Sequence, residues 1–219
     1  MSSRVSSCFF NLPVEYDAKR SAWSWSTLRL RKLAAPRVLR WLVAYDPLAE
    51  SLALLAHGVR EDPRRLSRRR RFAALAVDVD GDVAGTLFVV RGPGHVRFET
   101  HALAREAGTW RVLGGGSGGR ETDGLADRPP AAELGGPVAV AGGGSVALGS
   151  GWAPWSGRYV RYALLQAGAE VHTVDVGSRM LTVPRHGHLL VVWSTPRPPR
   201  AVARDADGRE LAALDLSGR

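Results

Sequence analysis

Met180–Trp193 reads MLTVPRHGHLLVVW. Leu189 to Trp193 is an unbroken apolar run, too short for a free-standing helix and ending in valines and tryptophan, which predicts a strand buried on both faces. Such a strand is central. Upstream, Arg185, His186 and Gly187 read as a turn, which makes Met180–Val183 its expected antiparallel neighbour.

Outward from this stretch the last third reads as short strands separated by turns: Arg158–Gln166, Glu170–Val176, Arg179–Val183, His188–Ser194, Ala201–Arg204 and Glu210–Leu216. That spacing predicts a β-sandwich-like unit over 137–219. Between Phe72 and Leu113 a second set of strands is punctuated by Asp80-Gly81, Gly92-Pro93-Gly94 and Ala107-Gly108, residues that suit hairpin turns. Along Val96–Ala102 the apolar residues alternate with Arg97, Glu99 and His101, so one face is expected to pack and the other to meet water.

From Pro36 the period changes to threes and fours. Val38, Trp41, Tyr45, Leu48, Leu52, Leu55 and Val59 form one helical stripe, divided by Asp46 and Pro47 into helices at Arg37–Tyr45 and Pro47–His57, with Gly58 as the stop. A basic turn or helix follows through Arg71. Between the two strand-rich regions, Gly114–Gly151 holds 13 of the 25 glycines, and Gly114–Gly136 reads as a linker or long loop. A small hairpin around Gly142–Gly144 is expected after it. The fold class expected is therefore α+β and mainly β. A loosely structured basic segment (1–35) precedes helices packed on a four-stranded antiparallel meander (36–113). A glycine-rich linker (114–136) then leads to the sandwich-like unit.

A chain of 219 residues can bury a full core without staples, and the lone Cys8 excludes an internal disulfide. No run approaches the roughly 18 apolar residues of a membrane span, and no secretory pattern is read near Met1, so the location expected is cytoplasmic. The net charge of +9 is concentrated: residues 1–72 hold 15 of the 30 basic and 6 of the 21 acidic side chains. Arg64, Arg65, Arg68, Arg69, Arg70 and Arg71 are candidates for contact with an anionic partner, either nucleic acid or a membrane surface. A solvated basic face in a GC-rich coding context explains the same arginines, and a protein partner stays open.

FETHALAREAGTWRVLGGGSGG (Phe98–Gly119), VPRHGHLLVVW (Val183–Trp193) and VARDADGREL (Val202–Leu211) resemble segments of uncharacterised actinobacterial β-rich proteins. Their shared motifs are structural turns, so the resemblance implies a β-rich fold and no catalytic residue. Pro36–Leu113 is similar to the NTF2-like cone, which implies helices lying across a curved sheet that encloses a ligand pocket.

Chemistry has few candidates. His186 and His188, with His172 from a neighbouring strand, have residue types that bind zinc, but Gly187 in a turn breaks the alternation. Gly115–Gly119 around Ser117, followed by Asp175 and His186, has the order of a hydrolase triad without the helix that a nucleophile elbow needs. Asp78, Asp80 and Asp82, like Asp205, Asp207 and Glu210, sit beside Asp-Gly turns and lack a calcium loop's spacing. Trp152 and Trp155 around Pro154 are either an aromatic platform or the closed end of a sandwich. No cofactor is implied. The function expected is a non-catalytic cytoplasmic binding or interaction module with a basic N-terminal side. The alternative is a small-molecule binder or enzyme with a pocket between the helices and the 72–113 sheet, using His101 or Glu99.

Overall fold

The structure, a computed structural model, describes residues 45–62, 64–120, 122–148 and 158–217. All of them belong to one unit, Val38–Arg219. The expected helix Arg37–Tyr45, the basic segment 1–35 and the Trp152–Trp155 platform fall outside them, apart from Tyr45.

The described chain is mainly β. It runs α1 (Pro47–His57), β1 (Phe72–Asp80), β2 (Val83–Arg91), β3 (Val96–Glu106), β4 (Thr109–Arg120), α2 (Ala131–Leu134), β5 (Val138–Ala147), β6 (Tyr159–Ala167), β7 (Thr173–Val176), β8 (Arg179–Thr182), β9 (His188–Trp193), β10 (Ala201–Arg204) and β11 (Glu210–Leu214). Three sheets form, in the orders β1-β2-β3-β4, β5-β6-β9 and β11-β10-β7-β8. Every pairing is antiparallel.

The β5-β6-β9 sheet is the middle layer. Side chains alternate across a strand, and here both sets are used. Ala163, Leu165, Leu189, Val191 and Trp193 pack with Val174, Val176, Ala201 and Ala203 of the β7–β11 sheet. Tyr162 and Leu190 pack the other way, with Leu75, Leu87, Val89 and Phe98 of the β1–β4 sheet. The two strand-rich regions of the sequence thus share a core. Contact is close enough that a Cβ on Gly85 of β2 would lie 2.7 Å from Leu190 Cδ2.

β9 is buried at all its positions, as its apolar run predicts, but its partner is β6, with Arg161 opposite Trp193 and Gln166 opposite His188. The expected neighbour, Met180–Val183, pairs elsewhere: β8 forms a tight hairpin with β7 through Gly177 and Ser178, Val176 opposite Arg179. Gly177, at φ 59, takes the backbone angle that two-residue hairpin requires. Pro184 and the turn closed by Gly187 N–H on its carbonyl then carry the chain to the middle sheet.

The glycine-rich stretch also departs from expectation. Gly114–Arg120 is not a linker but the second half of β4, with Gly114 opposite Ala102 and Gly119 opposite Arg97. Gly142–Gly144 is not a hairpin but lies within β5, with Gly144 opposite Tyr162. Ladder hydrogen bonds are made by the main chain, so a strand between well-formed neighbours tolerates residues of poor strand propensity.

At the free edge of β9, Val192 N–H donates to Asp78 Oδ2 over 2.8 Å and Val192 C=O accepts from Arg179 Nη2 over 3.0 Å. Arg179 Nη1 closes the set with 2.6 Å to the same carboxylate oxygen. Asp78 is on β1 and Arg179 on β8, so one ion pair joins all three sheets. Asp78 is therefore a buried structural anion and not a turn aspartate. Replacing it with alanine strands Arg179 and the Val192 amide, and is expected to cost about 3–5 kcal/mol. Urea unfolding checks this; an Asp78→Ala protein within 1 kcal/mol of wild type, on the order of the surface-pair scale, contradicts it.

Candidate functional site

The β1–β4 and β5-β6-β9 sheets face each other across two seams, each flanked by edge strands. β1 lies beside β9 and β4 beside β5. The β1/β9 seam holds an apolar cleft of about 230 Å³, lined by residues such as Leu75, Ala76, Leu181 and Leu190. The β4/β5 seam holds a larger one, about 340 Å³.

The second cleft follows from the glycines. Packed sheets lie about 10 Å apart, a gap normally filled by side chains from both. Gly116 and Gly118 lie opposite Thr100 and Phe98 on β3, so they share the inward face and contribute no side chain. Gly143 lines the opposite wall from β5. Tyr162 reaches into the space from β6: a Cβ on Gly116 or Gly144 would come within 2.8 Å or 2.7 Å of its hydroxyl. A Cβ on Gly118 would meet nothing within 4 Å. The rest of the lining is Phe98, Thr100, Ser117, Gly119, Arg120, Ala141 and Leu164.

Its lining is a mixture of polar and apolar surface. Thr100 is 3% and Tyr162 9% exposed; neither hydroxyl has a hydrogen bond to another described residue. Burial raises the Tyr162 pKa, so the phenol is a donor at neutral pH. The Arg120 guanidinium lies 4.6 Å from the Phe98 ring centroid and has no carboxylate partner among the described residues.

The other candidates serve structure. His186 and His188 are brought together, rings 5.4 Å apart. His188 Nε2–H donates to the Gly124 carbonyl, and His186 Nδ1 accepts the His188 amide. One nitrogen of each ring is thus committed to the protein. His172 is exposed, just before β7, and no three His, Cys, Asp or Glu among the described residues are grouped to hold an ion. Ser117 sits within β4 opposite Glu99 rather than on a strand-to-helix turn. Asp175 is taken by Arg204 Nε over 2.5 Å.

His101 and Glu99 do not face water as expected. Helix α1, capped by Asp46 on the Leu48 and Ala49 amides and stopped at Gly58, sets Ser51 over them. Ser51 Oγ lies 2.9 Å from both His101 Nδ1 and Thr86 Oγ1, and His101 Nε2 is 3.8 Å from Glu99 Oε2. Serine, histidine and glutamate in that chain suggest nucleophilic chemistry, but Ser51 is 0% exposed and a nucleophile needs an open path to substrate. The trio ties α1 to the sheet. It also changes which helical face is buried: Ser51 and Leu54 point inward, while Leu48 and Leu52 of the expected stripe are exposed, because Thr86 and His101 need polar partners.

The arginine cluster is a turn closed by Ser67 N–H to the Arg70 carbonyl and anchored by buried Leu66, not a helix. Arg70 pairs with Glu61 over 2.6 Å and Arg64 approaches Asp127 at 3.9 Å. Arg65, Arg68, Arg69 and Arg71 are exposed, with no ion pair to a described residue. None of the described helices is long and apolar enough to cross a membrane.

Fold and cleft together define a mainly β, three-sheet protein with a glycine-lined gap between two of its layers. The chain matches no family model, no curated protein and no solved structure.

Burial lowers the His186 pKa to about 4 and that of His188 to about 3. Both stay neutral in the fold while the unfolded chain binds protons below about 6.5. Stability is therefore full above that pH and is lost as the pH falls toward the folded values, by about 1.4 kcal/mol per pH unit for each imidazole within the window. Urea midpoints at pH 7.5 and 5 measure it, and His188→Gln should flatten the dependence; an unchanged slope contradicts the assignment.

Proposed function

We propose that this chain is a non-catalytic module that binds a small ligand in the β4/β5 cleft. The observation that carries this is the pair of hydroxyls on the largely buried Thr100 and Tyr162, which line the open gap without a hydrogen bond to another described residue. A cleft of roughly 300–1,000 Å³ that presents a small number of placed polar groups beside apolar side chains is the usual form of a ligand site. The site lies on the side of the meander away from α1. Beneath α1, where the alternative pocket was expected, Ser51, Leu54, Thr86, Phe88 and His101 fill the space. In this reading α1 is the cover of the meander, the 137–219 strands pack as a sandwich-like unit, and the module works in the cytoplasm.

Gly118→Leu tests it, because the new side chain enters the cleft without meeting an atom within 4 Å at its Cβ. A fragment set observed by ligand-detected NMR should give wild-type binders that disappear in this variant while its unfolding midpoint holds. Absence of binders, or binders indifferent to Gly118→Leu, refutes the assignment.

A second reading rests on Arg65, Arg68, Arg69 and Arg71, exposed and without an ion pair to another described residue, which suit a phosphate-bearing surface. Retention on DNA, RNA or acidic vesicles at low ionic strength, lost as salt rises, is then expected. Absence of retention at the lowest salt removes it.

A further inference from the structure

We infer that the ligand of the β4/β5 cleft is a planar aromatic acid, its carboxylate held by Arg120 and its far end by the hydroxyls of Tyr162 and Thr100. The inference rests on the cleft being a ligand site and adds the ligand's chemistry.

The charge comes first. Among the described residues that line the gap, Arg120 is the one charged side chain and none is an acid. Its guanidinium, on the face of Phe98, leaves the edge of its donor fork unclaimed by any described carboxylate. A guanidinium presents paired N–H groups that match the two oxygens of a carboxylate.

Shape comes second. Gly118 and Gly143 contribute wall without side chains, and Phe98, Ala141 and Leu164 supply the apolar surface. A gap walled by glycines on both sheets accepts a flat ring, which stacks or meets Phe98 edge-on. Sugars bring several hydroxyls that two protein hydroxyls leave unsatisfied. Length comes third: Phe98, under the guanidinium, is opposite Gly118, while Thr100 is opposite Gly116 beside the Tyr162 hydroxyl. The ends of the site are thus separated by two residues of strand, about 7 Å, a span that an aromatic ring system bridges.

The test uses 6-hydroxy-2-naphthoate and its neutral analogue 6-hydroxy-2-naphthamide, titrated into the full chain and followed by naphthol fluorescence. The acid should bind and the amide bind about tenfold or more weakly, the scale of a charge-assisted pair. Arg120→Gln should weaken the acid by a similar factor and leave the amide unchanged. Tyr162→Phe should weaken both, and Gly118→Leu should abolish both. Equal binding of acid and amide, or an acid affinity that Arg120→Gln leaves alone, overturns the aromatic-acid assignment. If such binding is still blocked by Gly118→Leu, the cleft remains a ligand site of other chemistry. If neither compound binds the wild type, the aromatic-acid assignment falls, and the fragment set decides separately on the cleft.

Discussion

The Asp78–Arg179 pair, closed on both backbone groups of Val192, is the constraint on which the architecture depends. An exposed edge strand recruits other strands, and proteins protect such edges with charges, bulges or covering elements. Here the edge is buried, and a carboxylate and a guanidinium take the places of the missing strand's C=O and N–H. Because the two side chains come from different sheets, the same contact that ends β9's ladder also sets the spacing of the layers around it. A bulge in β1 between Ala74 and Ala76 accompanies the approach of this strand, consistent with the local bending that bulges produce.

Much of the architecture was legible because local chemistry and tertiary need agree there. Gly81, Gly94 and Gly108 adopt positive φ where the hairpins of the meander turn, and Asp46, Pro47 and Gly58 bound the helix as their capping roles require. The apolar run of β9 correctly implied two buried faces. Its partner was illegible, since pairing between β6 and β9 is settled by which layer has room, not by nearness in sequence.

The glycine stretches were misread for a related reason. A side-chain pattern reports strands by what they bury, and Gly114–Gly119 and Gly142–Gly144 bury almost nothing of their own; their order comes from backbone ladders to β3 and β6. The candidate site was hidden by the same logic. Thr100 reads as an ordinary position of an alternating strand, Tyr162 as one residue of another strand, and Arg120 as part of the expected linker. The one signal available was that two glycine-rich runs flank opposite sides of a single core, which requires knowing that β4 and β5 face each other. Ser51 and His101 were equally unreadable, because an imidazole facing a helix looks in sequence like one facing solvent.

The open position at Gly118 has a consequence for how such a protein diverges. In an ordinary core, altering the volume at one site forces neighbours to move. Along this bare wall a lineage can exchange one residue, shorten or seal the gap, and keep every other contact, so selectivity and foldedness are free to change on separate schedules.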